Sequence, residues 1–281
     1  MSHGDDPAVK TDKAARTFTM SLDIDATPEE VWRALTEATE LVRWFPLQAR
    51  VTPGQGGTMF WGWDDRWAWE SQIDVWEPGK RLRLVENRPA FDAKGGALAE
   101  PSRKMAMEFT LETHAGRTRL RLVHSGFGHG ANWDDELESV SSGWQFELRG
   151  LRHYLERHRG RDRHHGMANR VTSLDIDTIW KRLLSPAAFT LTEGRLAANE
   201  RVVIRTATGD QFAGTVAWLN AGRDLFVVVD DLDAGIFRIA IWRAAGETGV
   251  QVWAATYDSR HAARVRELGL QIQGLLDRLL T

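Results

Sequence analysis

The chain has 281 residues, of which 42% are hydrophobic and 27% are charged, and its formal net charge at pH 7 is −3. This length accommodates one large domain or two ordinary ones, and the small net charge provides no overall field to attract nucleic acid or an anionic membrane. The sequence has no cysteine, which excludes disulfides, zinc–thiolate sites and cysteine nucleophiles.

The amino-terminal segment, residues 1–15, is polar and lacks the apolar core of a secretory signal. We expect it to be a flexible tail. No apolar run reaches membrane-spanning length, so no membrane span is expected. Together with the absence of cysteine, which fits a reducing compartment, these features favour a cytoplasmic protein.

The first ordered elements are a strand and a helical segment. Apolar and polar residues alternate over 17–24, which is the period of a half-buried strand. Thr27 can then cap a helix, Pro28 fits its first position, and Pro46 ends the segment. The sequence predicts one or two short helices between these points.

Four tryptophans follow in nine residues, Trp61, Trp63, Trp67 and Trp69. They alternate with other residues on either side of the polar triplet 64–66. This pattern predicts a β-hairpin with the triplet as its turn.

Further alternating segments at 81–87, 105–111 and 118–124 predict strands of an antiparallel sheet with one covered face. The segment 133–158 has apolar residues at three- and four-residue steps. It predicts an amphipathic helix of six or seven turns that covers the sheet.

A second module is expected after a basic, polar stretch, residues 159–168, which is interpreted as a linker. The remaining residues, 169–281, repeat the first module in outline, and 246–257 align with 116–127 without a gap. We infer a tandem duplication. The predicted domains are therefore the tail, a first domain at 16–158, the linker, and a shortened second domain.

Three segments carry a resemblance to a known family: "DATPEEVWRALTEATELVRWFP", "IDVWEPGKRLRLVE" and "SGWQFELRGLRHYLE". They resemble the START-like (SRPBCC) superfamily, and within it the homologues of the heat-shock-chaperone ATPase activator. The resemblance covers residues 16–158, and the second half resembles a weak, shortened copy. It implies an α+β helix-grip fold, in which a curved antiparallel sheet wraps a long carboxy-terminal helix, here in tandem.

The space between sheet and helix in such a fold is either filled by side chains or left as a cavity for an apolar ligand. The inward-facing residues of the first domain are the candidate ligand-binding residues: Trp61, Trp63, Trp67, Trp69, Ser71, Met105, Met107, Phe109, His124, Trp144 and Leu148. Tryptophan and methionine are also ordinary core residues, and a buried histidine is commonly satisfied by a neighbour. Pocket lining and core packing therefore both fit this pattern.

Three functions remain open, because the superfamily includes lipid carriers, hormone receptors, cyclases and cochaperones. The first is a binding protein that holds a small apolar or aromatic molecule against the tryptophans, with Ser71 or His124 orienting it. The second is an interaction module for a chaperone or regulatory protein. The third, a cyclase or hydrolase with His124 as its acid–base group, has least support, since no catalytic motif is present.

No cofactor and no metal site is predicted, and His164 and His165 are interpreted as part of a solvated linker. The inward positions of the second domain are almost purely aliphatic and aromatic, so we expect a filled core and a structural or dimerising role. Trp242 and Trp253 lie on the opposite face of their strands. Unless something covers them, they would mark an interface between modules or in a homodimer.

Overall fold

The computed structural model describes residues 7–63, 67–92, 94–99 and 103–281. It divides into two compact units, Met1–Gly160 and Arg161–Thr281. No helix of the described part is long and apolar enough to cross a membrane.

The first unit has eight strands and three α-helices within the described residues. The strands are β1 (Ala8–Asp12), β2 (Thr17–Ile24), β3 (Gln48–Val51), β4 (Thr58–Gly62), β5 (Ala68–Glu77), β6 (Arg81–Arg88), β7 (Arg103–His114) and β8 (Arg117–Ser125). The helices are α1 (Pro28–Thr36), α2 (Ala38–Trp44) and α3 (Ala131–Arg157). The strands form one antiparallel sheet in the order β1-β2-β8-β7-β6-β5-β4-β3.

Helix α1 begins where the sequence predicts, and the long helix α3 begins two residues earlier than the predicted 133. The Thr27 hydroxyl accepts a hydrogen bond from Glu30 N, and the Glu30 carboxylate accepts one from Thr27 N, which together form a capping box before Pro28. On α3, Leu148 and Leu151 are fully buried, as the amphipathic spacing requires. The long helix closes one face of the antiparallel sheet, which is the predicted helix-grip arrangement.

The amino-terminal tail is more ordered than predicted. Residues 1–6 lie outside the described residues, but β1 pairs in antiparallel register with β2. Its side chains are almost all exposed, so the strand lacks the alternation of apolar and polar residues from which a strand is predicted. Backbone hydrogen bonds to an existing sheet edge are enough to form such a strand, and periodicity cannot detect them.

A bulge in β5 changes which residues face the helices. The pairing with β6 shifts between Ile73 and Val75. Val75, which has the same strand parity as Ile73, is therefore displaced from that face, and Trp76 packs edge-on against Trp32 with ring centroids 5.1 Å apart. A bulge adds one residue to one strand and reverses the side-chain phase beyond it.

The second unit has seven strands and two α-helices among its described residues. The strands are β9 (His164–Thr172), β10 (Phe189–Gly194), β11 (Arg201–Thr206), β12 (Gln211–Asn220), β13 (Asp224–Val229), β14 (Gly235–Ala244) and β15 (Glu247–Thr256). The helices are α4 (Ile176–Leu183) and α5 (Ala262–Leu279). The strand order, β10-β11-β12-β13-β14-β15-β9, repeats that of β3 to β8 and β2, and is consistent with a tandem repeat.

The predicted linker, 159–168, ends earlier than expected, because β9 begins at His164. This strand begins with two histidines and a glycine, which do not alternate between apolar and polar, so periodicity does not predict its start. His165 stacks on Trp253 with centroids 5.2 Å apart, and it is not a solvated linker residue. Gly166 lies against α5, where an added Cβ would meet Val265 O at 1.8 Å.

The core of the second unit consists of apolar side chains from α4, α5 and all seven described strands, including Phe212, Val216, Phe237 and Val252. Trp253, predicted to be exposed unless covered, is only 5% exposed. Arg163 lies 4.9 Å from its ring centroid, on the strand's outer face. Trp242 is half-buried.

Candidate functional site

An aromatic cluster fills part of the space between the sheet and the helices of the first unit. Phe45, which follows α2, lies at its centre, and its ring centroid is 5.0 Å from those of Trp61 and Trp63 and 5.1 Å from that of Trp144. Trp63 also stacks on Trp69 at 5.2 Å. The Trp63–Trp69 pair is stacked, whereas the contacts of Phe45 with Trp61 and Trp63 are edge-to-face, so the cluster uses both the faces and the edges of its rings.

A buried polar cluster adjoins these rings. It consists of Ser71 on β5, Glu86 and Arg88 on β6, His124 on β8 and Glu136 on α3, and each is at most 9% exposed. We call these five residues the polar cluster. Ionisable side chains are rarely this buried unless they are paired, so a group of them inside one small domain calls for an explanation.

Arg88 connects the members of the polar cluster. Its Nη2 lies 3.0 Å from Glu136 Oε1 and its Nη1 lies 3.7 Å from Glu86 Oε1. The Ser71 hydroxyl donates to Glu86 Oε2 at 3.3 Å. The guanidinium also lies over the Trp69 ring, 5.0 Å from its centroid, which joins the polar cluster to the aromatic one.

Several buried atoms of this region have no hydrogen-bond partner. They are Trp61 Nε1, Trp69 Nε1, Arg88 Nε, both ring nitrogens of His124, Glu86 Oε1 and Glu136 Oε1. The two carboxylate oxygens form ion pairs with Arg88, but the geometry of these pairs is not that of a hydrogen bond. The two indole N–H groups and the imidazole nitrogens have no hydrogen-bond partner among the described residues. Buried polar groups in native proteins are nearly always paired with protein or with a bound molecule.

Burial controls the protonation of the cluster. Burial, together with the nearby positive charge of Arg88, lowers the pKa of His124 to about 3, so the imidazole is neutral at pH 7. Burial raises the pKa of Glu86 and of Glu136, while Arg88 opposes the rise at both carboxyls. The cluster can therefore hold a proton on a carboxyl, whereas its histidine does not hold a second proton.

Seven of the eleven predicted site residues belong to the aromatic cluster or to the polar cluster. Trp61, Trp63, Trp69, Phe109 and Trp144 join the ring contacts, while Ser71 and His124 join the polar cluster.

The other four predicted residues lie around the two groups. Met105 pairs across the sheet with Glu86, and Met107 pairs with His124. Leu148 is fully buried on α3. The ring centroids of Trp67 and Phe91 are 6.4 Å apart. The turn predicted before Trp67, residues 64–66, lies outside the described residues.

Sequence reasoning missed Glu86, Arg88 and Glu136. The first two carried a usable signal, because they have the same strand parity as Leu82 and Leu84, both of which are buried. Glu136 has a weaker signal, since it lies one turn after the buried Trp133 on the inner stripe of α3.

Residues 25–156 match the family model described as activator of Hsp90 ATPase homolog 1-like protein. The first unit belongs to this family. We refer to it below as the AHSA1-like unit. The match lies entirely within this unit and contains every residue of the polar cluster.

Solved structures are similar to about half of the chain. A protein from Mesorhizobium loti, MLL2253, is 23% identical, with a TM-score of 0.43 over 51% of this chain and 99% of that one. The Aha1 dimer from Colwellia psychrerythraea is 21% identical, with a TM-score of 0.40 over 51% and 98%. CalU16 from Micromonospora echinospora is 23% identical, with a TM-score of 0.38 over 52% and 80%. A comparison with curated proteins gives no match.

Proposed function

We propose that the AHSA1-like unit binds a small molecule with an apolar or aromatic body at the junction of the aromatic and polar clusters. The observation that carries this proposal is the set of unpaired buried polar atoms on Trp61, Trp69 and His124. A bound molecule would supply their missing partners. The surrounding apolar side chains would contact the rest of it.

Energetics favours this interpretation over simple core packing. A buried polar group left without a partner costs about 1–3 kcal/mol, and this region contains several. A core selected only for stability would place apolar residues at such positions, as the second unit does with the buried Ala254, which aligns with His124. Groups that cost stability in the free protein are typical of a binding site.

His124 would act as an orienting group. Its ring is 1% exposed and lies 4.9 Å from the Phe127 ring. A neutral imidazole offers one donor and one acceptor, so it can fix a ligand that carries a single polar group. No proton transfer to substrate is required of it, and we propose binding without catalysis.

The test uses the indole N–H resonances of the full ¹⁵N-labelled chain during titration with bicyclic aromatic compounds the size of naphthalene. The Trp61 and Trp69 signals are expected to shift and to saturate, because their N–H groups gain a partner. Trp44 is an internal control, since its Nε1 already donates to Ala34 O at 2.8 Å. Its signal is expected to stay in place.

His124→Leu should abolish the saturable shifts or raise the Kd by about tenfold, since a hydrogen bond contributes up to about 1.5 kcal/mol. If no compound of the panel moves the Trp61 or Trp69 signals, small-molecule binding at this site is refuted. Shifts that include Trp44 to the same extent would indicate nonspecific partitioning and would refute it as well.

The family match favours one second candidate, regulation of an Hsp90-type chaperone by the AHSA1-like unit. This candidate predicts that the full chain changes the ATPase rate of the Hsp90 from the same organism. It also predicts that His124→Leu leaves that change intact, because the residue is buried. An unchanged ATPase rate at saturating protein would exclude it.

A further inference from the structure

The unpaired atoms of the polar cluster also restrict the charge and polarity of the molecule that can occupy it. Three of them are N–H donors fixed by their residue type, on Trp61, Trp69 and Arg88. The unpaired carboxylate oxygens, in contrast, already face the Arg88 guanidinium at 3.7 and 3.0 Å. What the site lacks is therefore an acceptor.

The charge of the cluster disfavours an anion. Arg88 contributes +1, and Glu86 and Glu136 contribute −1 each when ionised, so the sum is −1, or 0 when one carboxyl holds a proton. Arg88 is the cation between these carboxyls, and it is 7% exposed and engaged by both. An anionic ligand would therefore bring another negative charge into a buried site in which the cation of the polar cluster, Arg88, is already paired.

A cation is disfavoured for a different reason. An ammonium group carries only donors, and it would leave the two indole N–H groups unpaired. The ring faces that attract cations are also occupied, since Trp69 has Arg88 over its ring at 5.0 Å and Trp63 stacked on it at 5.2 Å.

We infer that the ligand is an uncharged molecule whose apolar body carries a hydrogen-bond acceptor such as a ketone carbonyl, received by the indole N–H groups of Trp61 and Trp69. This inference rests on the proposed function, because it specifies the ligand of the same site. His124, with a donor and an acceptor of its own, accommodates a carbonyl or a hydroxyl beside it.

Four probes with one bicyclic body test the inference: tetralin, 1-tetralone, tetralin-1-carboxylate and 1-aminotetralin. Their Kd values for the full chain are measured at pH 7 from the Trp69 indole signal or by calorimetry. Tetralone is expected to bind about tenfold tighter than tetralin, since one or two hydrogen bonds are gained. Both charged probes are expected to bind more weakly than tetralin.

Trp69→Phe provides the residue-level test, with Trp76→Phe as the matched control on the same strand. Trp69→Phe should reduce the preference for tetralone over tetralin by about threefold or more, because one donor is lost. Trp76→Phe should leave the preference unchanged, since its ring packs on Trp32. If Trp69→Phe does not fold, the affinities of the four probes for the wild-type chain decide alone.

The outcomes separate the two proposals. If tetralin binds as tightly as tetralone, or if the carboxylate or the amine binds tightest, the inferred ligand class is wrong although the site binds small molecules. If none of the four probes binds, the proposed function fails together with the inference.

Discussion

Replacement of His124 by leucine should make the first unit more resistant to acid. The imidazole is buried and neutral, and burial lowers its pKa to about 3 from the 6.5 of an unfolded chain. Between these two pH values the unfolded chain binds a proton at this residue and the folded chain does not. The folded state therefore loses stability as the pH falls below 6.5.

The size of this loss follows from the two pKa values. At pH 5, which is 1.5 pH units below the unfolded pKa, protonation stabilises the unfolded chain by about 2 kcal/mol. At pH 7.5 the same contribution is nearly zero. The difference in unfolding free energy between His124→Leu and wild type should therefore grow by about 2 kcal/mol between pH 7.5 and pH 5, in favour of the variant.

Urea unfolding of the full chain, followed through the folded-state indole signal of Trp61, measures the first unit separately from the second. His129→Gln is the control, because this histidine is already exposed in the folded chain. Its unfolding free energy is measured over the same pH range. A difference between His124→Leu and wild type that does not change with pH would refute the argument, since the ring would then titrate alike in both states.

Three further predictions concern packing and charge. Gly269→Ala should destabilise the second unit by about 1–3 kcal/mol, because its Cβ would lie 2.8 Å from the β9 backbone, whereas Gly274→Ala on the same helix should stabilise it by up to about 1 kcal/mol. Urea unfolding gives both values, and equal signs would contradict the close approach of α5 and β9. Arg88→Met should cost the first unit about 3–5 kcal/mol at pH 7, because two buried carboxyls lose their cation. Both carboxyls have a raised pKa in the folded chain, so the variant should regain stability as the pH falls and they bind protons; a pH-independent loss would contradict this. Tyr154→Phe should cost about 1–3 kcal/mol by thermal or urea unfolding, since the hydroxyl donates to Glu40 Oε2 at 2.6 Å, and an unchanged midpoint would show that this bond has no net value.

Alternation and capping were sufficient to place most elements of the first unit. Strand β7 shows why: Met105, Met107, Phe109 and Leu111 are buried and the residues between them are not. The family resemblance then supplied the fold, which is confirmed. The same reasoning failed at β1 and β9. The side chains of β1 are exposed, and β9 begins with two histidines and a glycine. Neither segment therefore shows the apolar–polar alternation on which the prediction of strands depends.

The polar cluster shows the limit of strand parity. Parity alone indicates that Glu86 and Arg88 face inward, yet it cannot show that Glu136 meets them from a helix 48 residues later in the chain. Nor can it show that Trp61 and Trp69 lack hydrogen-bond partners while Trp44 has one. These facts depend on distances between side chains of separate elements.

The sequence by itself determined the α+β class, the helix caps, the inward faces of the central strands and the family of the first unit, because each of these follows from neighbours along the chain. Only the tertiary structure decided that the tryptophan rings pack on one another and on Phe45, that a charged cluster lies beside them, and which of the buried polar atoms stay unpaired. The physical reason is that burial and hydrogen bonding are set by groups far apart in sequence, and a change of one bulge or one helix position would rearrange them without altering the pattern that predicts the fold.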